Sequence, residues 1–77
     1  MVELVETIAK SLVDEPDKVE VTREKGDGDT TIIRLHVAEG DMGKVIGKQG
    51  RIAKAIRTVV KAAAVKSKEK VVVEIVQ

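Results

Sequence analysis

The 77-residue sequence contains no cysteine, phenylalanine, tyrosine or tryptophan, and only one proline. Without cysteine there are no disulfides, no thiolate nucleophile and no cysteine-ligated zinc. Without aromatics there are no ring faces for bases to stack on, as they do on RRM and many OB-type modules, so any base-contacting surface must be aliphatic. No apolar run reaches the length of a membrane span and no export signal is evident, which makes the cytoplasm the expected location. The single histidine, His36, stands in a strand-like segment with no second histidine and no nearby carboxylate pair, so it is assigned neither metal nor acid–base work. The carboxylates of the opening segment fall on a solvated helix face and show no pairing suited to proton transfer or glycoside chemistry. No catalytic residue, metal site or cofactor is expected.

What remains is a folded composition. Hydrophobic residues make up 43% and charged residues 35% of the chain, a balance that supports a core rather than a disordered tail. The length suffices for one small domain, expected over residues 1–77. Net charge is only +1, but the charges are segregated. Residues 1–43 hold 5 Lys and Arg against 11 Asp and Glu, a net of −6, whereas residues 44–77 hold 9 against 2, a net of +7. A polyanionic partner is therefore expected on the second half.

Residues 2–13 place Val5, Ile8, Ala9 and Leu12 at helical spacing and then run into Asp14-Glu15-Pro16, an amphipathic helix with its stop signal. From Lys18 the period changes to two, with Val19 and Val21 alternating with Glu20 and Thr22. The turn-rich Lys25-Gly26-Asp27-Gly28-Asp29 leads into a second strand over about 30–37, whose faces separate into Ile33, Leu35 and Val37 against Ile32, Arg34 and His36. Glu39-Gly40-Asp41 breaks this strand. Asp41 reads as the N-cap of a one- or two-turn helix over 42–46, in which Met42 fills core space or a subunit contact. Ile52, Ala55, Ile56, Val59, Val60 and Ala63 then predict a helix to about Val65, with Lys54, Arg57, Thr58 and Lys61 on its other side. Val71, Val73 and Ile75 alternate with Val72, Glu74 and Val76, a last strand apolar enough to imply that both of its faces are at least partly covered. The order α-β-β-α-α-β implies an α+β fold: an antiparallel hairpin, a right-handed crossover to a parallel strand, and three helices on one face of a mixed three-stranded sheet.

The segment joining the two crossover helices, Val45-Ile46-Gly47-Lys48-Gln49-Gly50-Arg51-Ile52-Ala53, carries the strongest signal. Two glycines around two residues let the chain turn sharply and remove side chains that would hold a phosphate away. The free amides at the start of the next helix add partial positive charge beside Lys48 and Arg51. This segment resembles the I-G-x-x-G signature of KH domains, and the element order resembles their type II, bacterial-style arrangement. Length, acidic opening helix and the run from Asp41 to Gly50 are similar to the small bacterial KhpA family of stand-alone KH proteins, across essentially the whole chain.

The resemblance implies a non-catalytic single-stranded RNA binder, a post-transcriptional regulator or RNA chaperone, whose groove grips about four nucleotides. Gly47, Lys48, Gln49 and Gly50 would form the clamp, and Lys44, Arg51 and Lys54 its electrostatic support. Val45, Ile46, Ile52 and also Val72 would form an aliphatic floor, although Ile46 and Ile52 equally suit a core. It further implies a homodimer, or pairing with a second KH-containing protein of the KhpB type. Two other classes compete with this one. Gly43-Lys44-Val45-Ile46-Gly47-Lys48-Gln49 superficially resembles a P-loop, but three residues instead of four separate the glycines and Gln49 stands where a magnesium-binding hydroxyl belongs. A protein-interaction module with weak or no RNA binding stays open. For Lys54, Arg57 and Lys61 an ordinary solvated helix face competes with the electrostatic role.

Overall fold

A computed structural model of the chain describes residues 1–76, with Lys48 described in its main chain only. Helix α1 (Val2–Leu12) carries Glu3 in its first turn and Lys10 in its last, and Lys10 pairs with Glu6 one turn back at 2.8 Å. After the short turn Pro16–Lys18 come strands β1 (Glu20–Lys25) and β2 (Thr30–His36), then helices α2 (Glu39–Ile46) and α3 (Arg51–Ser67), and finally strand β3 (Lys70–Val76). The sheet order is β1-β2-β3. β1 and β2 are antiparallel, from Glu20 opposite His36 to Lys25 opposite Thr31, while β2 and β3 are parallel, from Thr30 beside Lys70 to His36 beside Val76. The mixed sheet and element order expected from the sequence are thus present.

With no rings available, the core is built from branched aliphatics. Val5, Ile33, Leu35, Val45, Ile56 and Val60 are completely or almost completely buried, with Ala9, Ala53, Met42 and Val73 filling between them. Each such large side chain contributes roughly 1.5–3 kcal/mol on burial. Register explains the selection: Ile33, Leu35 and Val73 point to the helices, while Ile32, Arg34 and Val72 share the opposite, uncovered face. On that open face Arg34 is held between Glu24 of β1 at 2.6 Å and Glu74 of β3 at 3.2 Å. The hydrogen bond to Glu74, with the charge of Glu24, pushes its pKa above the ordinary arginine value.

Three local expectations are corrected. Asp41 is not an N-cap: α2 begins at Glu39, its first turn closing where the Asp41 and Met42 amides donate to the Ala38 carbonyl at 2.8 and 3.2 Å. No helix covers the second face of β3, since all of them pack on one side and Val72 is left 49% exposed. Finally, the buried stripe of α3 is Ala53, Ile56, Val60 and Ala64, whereas Ala55 and Val59 are exposed and the helix runs two residues past Val65. Because alanine suits a core or a surface equally, the apolar pattern of α3 was wider than its buried face, and packing chose the orientation.

Candidate functional site

The turn between α2 and α3 needs its two glycines for different reasons. Gly47 has an extended main chain (φ −79°, ψ −178°) that any residue could adopt. Its amide, however, approaches the Gly43 carbonyl to 2.7 Å, and a Cβ at 47 would collide with that same oxygen. Gly50 has open space around its α-carbon but sits at φ +67°, in the left-handed region. Between them Gln49 is also left-handed (φ 64°, ψ 23°), a conformation costing a non-glycine residue roughly 1–2 kcal/mol. The Gly50 amide donates to the Gly47 carbonyl at 2.9 Å and closes the turn. The Lys48 side chain lies outside the described part of the structure.

Directly after this turn α3 begins at Arg51, with no side-chain cap and no acidic residue in its first turn. Its leading amides therefore keep their donors, and the positive end of the helix dipole faces the glycine turn. Both features favour a bound anion.

Seventeen residues of α3 at 100° each divide into three stripes. One is the buried stripe. The second is Lys54, Arg57, Thr58 and Lys61, all exposed. The third is Ala55, Val59 and Ala62, exposed and uncharged until Lys66 closes it in the last turn. The second stripe forms a wall of two adjoining clefts. One, of about 520 Å³, is bounded by Ile46, Gln49, Gly50, Ala53, Lys54, Arg57, Thr58 and Lys61. The next, of about 300 Å³, shares Arg57 and Lys61 and reaches Val71, Val72 and Val73 on the edge strand β3. A continuous path therefore leads from the glycine turn to the sheet edge.

Electrostatics follows the same division. Among the described residues, Lys10, Lys18, Arg34 and Lys44 are engaged by Glu6, Glu15, Glu24 with Glu74, and Asp14 respectively. Lys54, Arg57 and Lys61 form no ion pair among these residues, so the cations along the clefts are free to meet an external anion.

Measured against the sequence-based expectations, the main chain brings Gly47, Lys48, Gln49 and Gly50 into one turn, with Ile46, 53% exposed, and Lys54 beside it. Arg51 is exposed on the first turn of α3. Two residues fall elsewhere. Val45 is completely buried and is core, not floor. Ile52 is half-buried against the core and does not reach either cleft. Lys44 lies on α2 with its ammonium on the Asp14 carboxylate at 3.1 Å. Conversely, Arg57 and Lys61 face both clefts. Their i, i+3, i+4, i+7 spacing with Lys54 and Thr58 was visible in the sequence, but nothing there distinguished a cleft wall from a solvated face.

Comparison with known proteins places these features in a family context. The model of the KhpA/KhpB KH domain matches residues 2–75. The RNA-binding protein KhpA of Clostridium acetobutylicum is 66% identical over 76 residues, covering 99% of this chain and 100% of that protein. Its namesake in Clostridium perfringens gives the same figures, and that of Listeria monocytogenes is 51% identical over 77 residues, with both chains covered in full. No solved structure gives a significant match.

Proposed function

This chain belongs to the KhpA/KhpB family of KH domains, and from that premise we propose that it binds single-stranded RNA along the path from the glycine turn to the β3 edge. The observation that carries the proposal is the alignment of an uncapped helix start, a glycine turn and an unpaired cationic stripe along one pair of clefts. Backbone amides and Lys48 would take the phosphates at the turn. Lys54, Arg57 and Lys61 would follow the backbone, and Ile46 and Val72 would offer apolar contact to the bases in place of aromatic stacking. Such a site selects single strands by shape and reads phosphates electrostatically, so it has no need of a catalytic group. In a bacterial cell this is the activity of a post-transcriptional regulator or RNA chaperone.

The test is a salt titration of binding to short single-stranded RNA, its duplex and the matching DNA, for the wild type and for Arg57→Gln with Lys61→Gln. Wild type should prefer single strands. The double variant should bind about tenfold more weakly and show a slope of log K against log salt shallower by about 1.4, the value for two phosphates on a single strand. An unchanged slope would remove these two residues from the site, and an absence of RNA binding by wild type would overturn the proposal.

A second reading accompanies the first without displacing it. The third stripe of α3, Ala55, Val59 and Ala62, is exposed, uncharged and short-chained, and Val59 retains 41% exposure. Small residues let two helices approach closely, so we assign to this stripe the pairing of the chain with a second copy or with another KH-containing chain. Sedimentation at micromolar concentration should show Val59→Asp as a monomer beside a dimeric wild type. A variant that stays dimeric beside a dimeric wild type would exclude the stripe as the interface, and a monomeric wild type would exclude self-pairing.

A further inference from the structure

The glycine turn occupies one end of α3. At the other end, between the β1–β2 hairpin and the α3–β3 junction, lies a third and larger cavity of about 630 Å³. Its walls include Arg23, Lys25, Lys68 and Lys70, together with Asp29 and Glu69. Glu24 also lines it, but its carboxylate is held by Arg34 at 2.6 Å. Among the described residues none of the four cations forms an ion pair, so the cavity carries an excess of unneutralised positive charge.

The placing of Lys68 is unusual. The Lys68 amide donates to Val65 at 3.2 Å and the Glu69 amide donates to Ala64 at 2.8 Å, the paired bonds of a helix stop that is most often built on glycine. Lys68 adopts the required left-handed conformation, φ 59° and ψ 35°, with a side chain that opposes it. A glycine would cap α3 at lower conformational cost, yet the position carries a lysine on the wall of a cationic cavity. Strain held at a chosen side chain is an observation that points toward function.

Position links this cavity to the clefts already described. The second cleft ends at Val71, and the adjoining Lys70 lines the cavity. Along the 17 residues of α3, about 25 Å at 1.5 Å per residue, free cations therefore run from Lys54 through Arg57 and Lys61 to Lys68 and Lys70. At the roughly 3.4 Å phosphate spacing of one B-form strand that distance corresponds to roughly seven nucleotides, more than the four a KH groove clamps.

We propose that the cavity between the β1–β2 hairpin and the α3–β3 junction is a second phosphate-binding site, which holds the RNA strand after it leaves the glycine-turn clamp. The inference rests on the RNA-binding reading of that clamp. It makes the footprint of one chain roughly seven nucleotides, with Lys68 and Arg23 as backbone anchors at the far end.

The test compares four-nucleotide and ten-nucleotide single-stranded RNAs of uniform sequence, binding to wild type and to Arg23→Gln with Lys68→Gly. A longer strand offers a four-nucleotide clamp several registers, so length alone raises apparent affinity. That factor cancels when two proteins are compared on the same strand. The double variant should bind the ten-nucleotide strand about tenfold more weakly with a salt slope shallower by about 1.4, while its affinity for the four-nucleotide strand stays within twofold. Lys68→Gly alone should raise the melting temperature by a few degrees, because it relieves the left-handed lysine, and this separates lost binding from lost folding. Unchanged affinity and slope on the long strand overturn the second site, as does an equal loss on both strands. Should wild type bind neither strand, the clamp reading fails and takes this inference with it.

Discussion

Replacing Lys48 and Gln49 together by aspartate is expected to weaken single-stranded RNA binding by at least about 100-fold while leaving the chain folded. The two positions stand between Gly47 and Gly50 on the turn that opens toward the uncapped start of α3. The first substitution turns a cation into an anion and the second adds another anion, so phosphates meet repulsion where they met a donor-rich turn. Losing two charge-assisted contacts at about 1.5 kcal/mol each already accounts for the factor of 100. Folding should survive for a stated reason. Gln49 is left-handed, φ 64°, and aspartate is one of the few side chains that tolerate that region. Fluorescence anisotropy with a labelled strand, beside a thermal melt of both proteins, gives the answer. Equal affinity for two folded proteins would remove the turn from the binding site, and no binding by either would leave the interaction-module reading in its place.

The turn was legible in the sequence because its geometry is local. Glycine spacing, the flanking isoleucines and the helical periods on either side are all written within a few residues. Element order was legible for the same reason, since a change of period from 3.6 to 2 is a property of short windows. Val45 shows where that legibility stops. It stands next to the exposed Ile46, yet only the packing of α2 determines which of the two is buried. Lys68 was hidden differently, because a left-handed lysine violates the preference by which a helix stop is recognised. The cationic path was half legible: charge segregation located it in residues 44–77, but the acidic partners that neutralise Arg34 and Lys44 and leave Lys54, Arg57 and Lys61 free are set by tertiary contacts.

Asp41 is the residue the sequence misassigned most, and its removal should produce the largest loss of stability of any polar substitution in the chain. It is 2% exposed, the one buried charged side chain among the described residues. Its two carboxylate oxygens accept separate backbone hydrogen bonds from the α1–β1 connection, Oδ1 from the Asp14 amide at 3.0 Å and Oδ2 from the Glu15 amide at 3.1 Å. Its place in the first turn of α2 adds a favourable alignment with the helix dipole. Asp41→Ala leaves both amides without their acceptor, at about 1.5–3 kcal/mol for each charge-assisted bond. A chain of this length has a total stability of roughly 4–11 kcal/mol. The melting temperature should therefore fall by about 12 °C or more, at about 4–8 °C per kcal/mol. Asp41→Asn keeps one acceptor and should fall between. Asp14→Ala provides the contrast, since it removes only the exposed ion pair with Lys44 and preserves the Asp14 amide. That pair should contribute no more than about 1 kcal/mol. A melting temperature for Asp41→Ala within a few degrees of Asp14→Ala would show that the buried carboxylate does not hold the α1–β1 connection to α2.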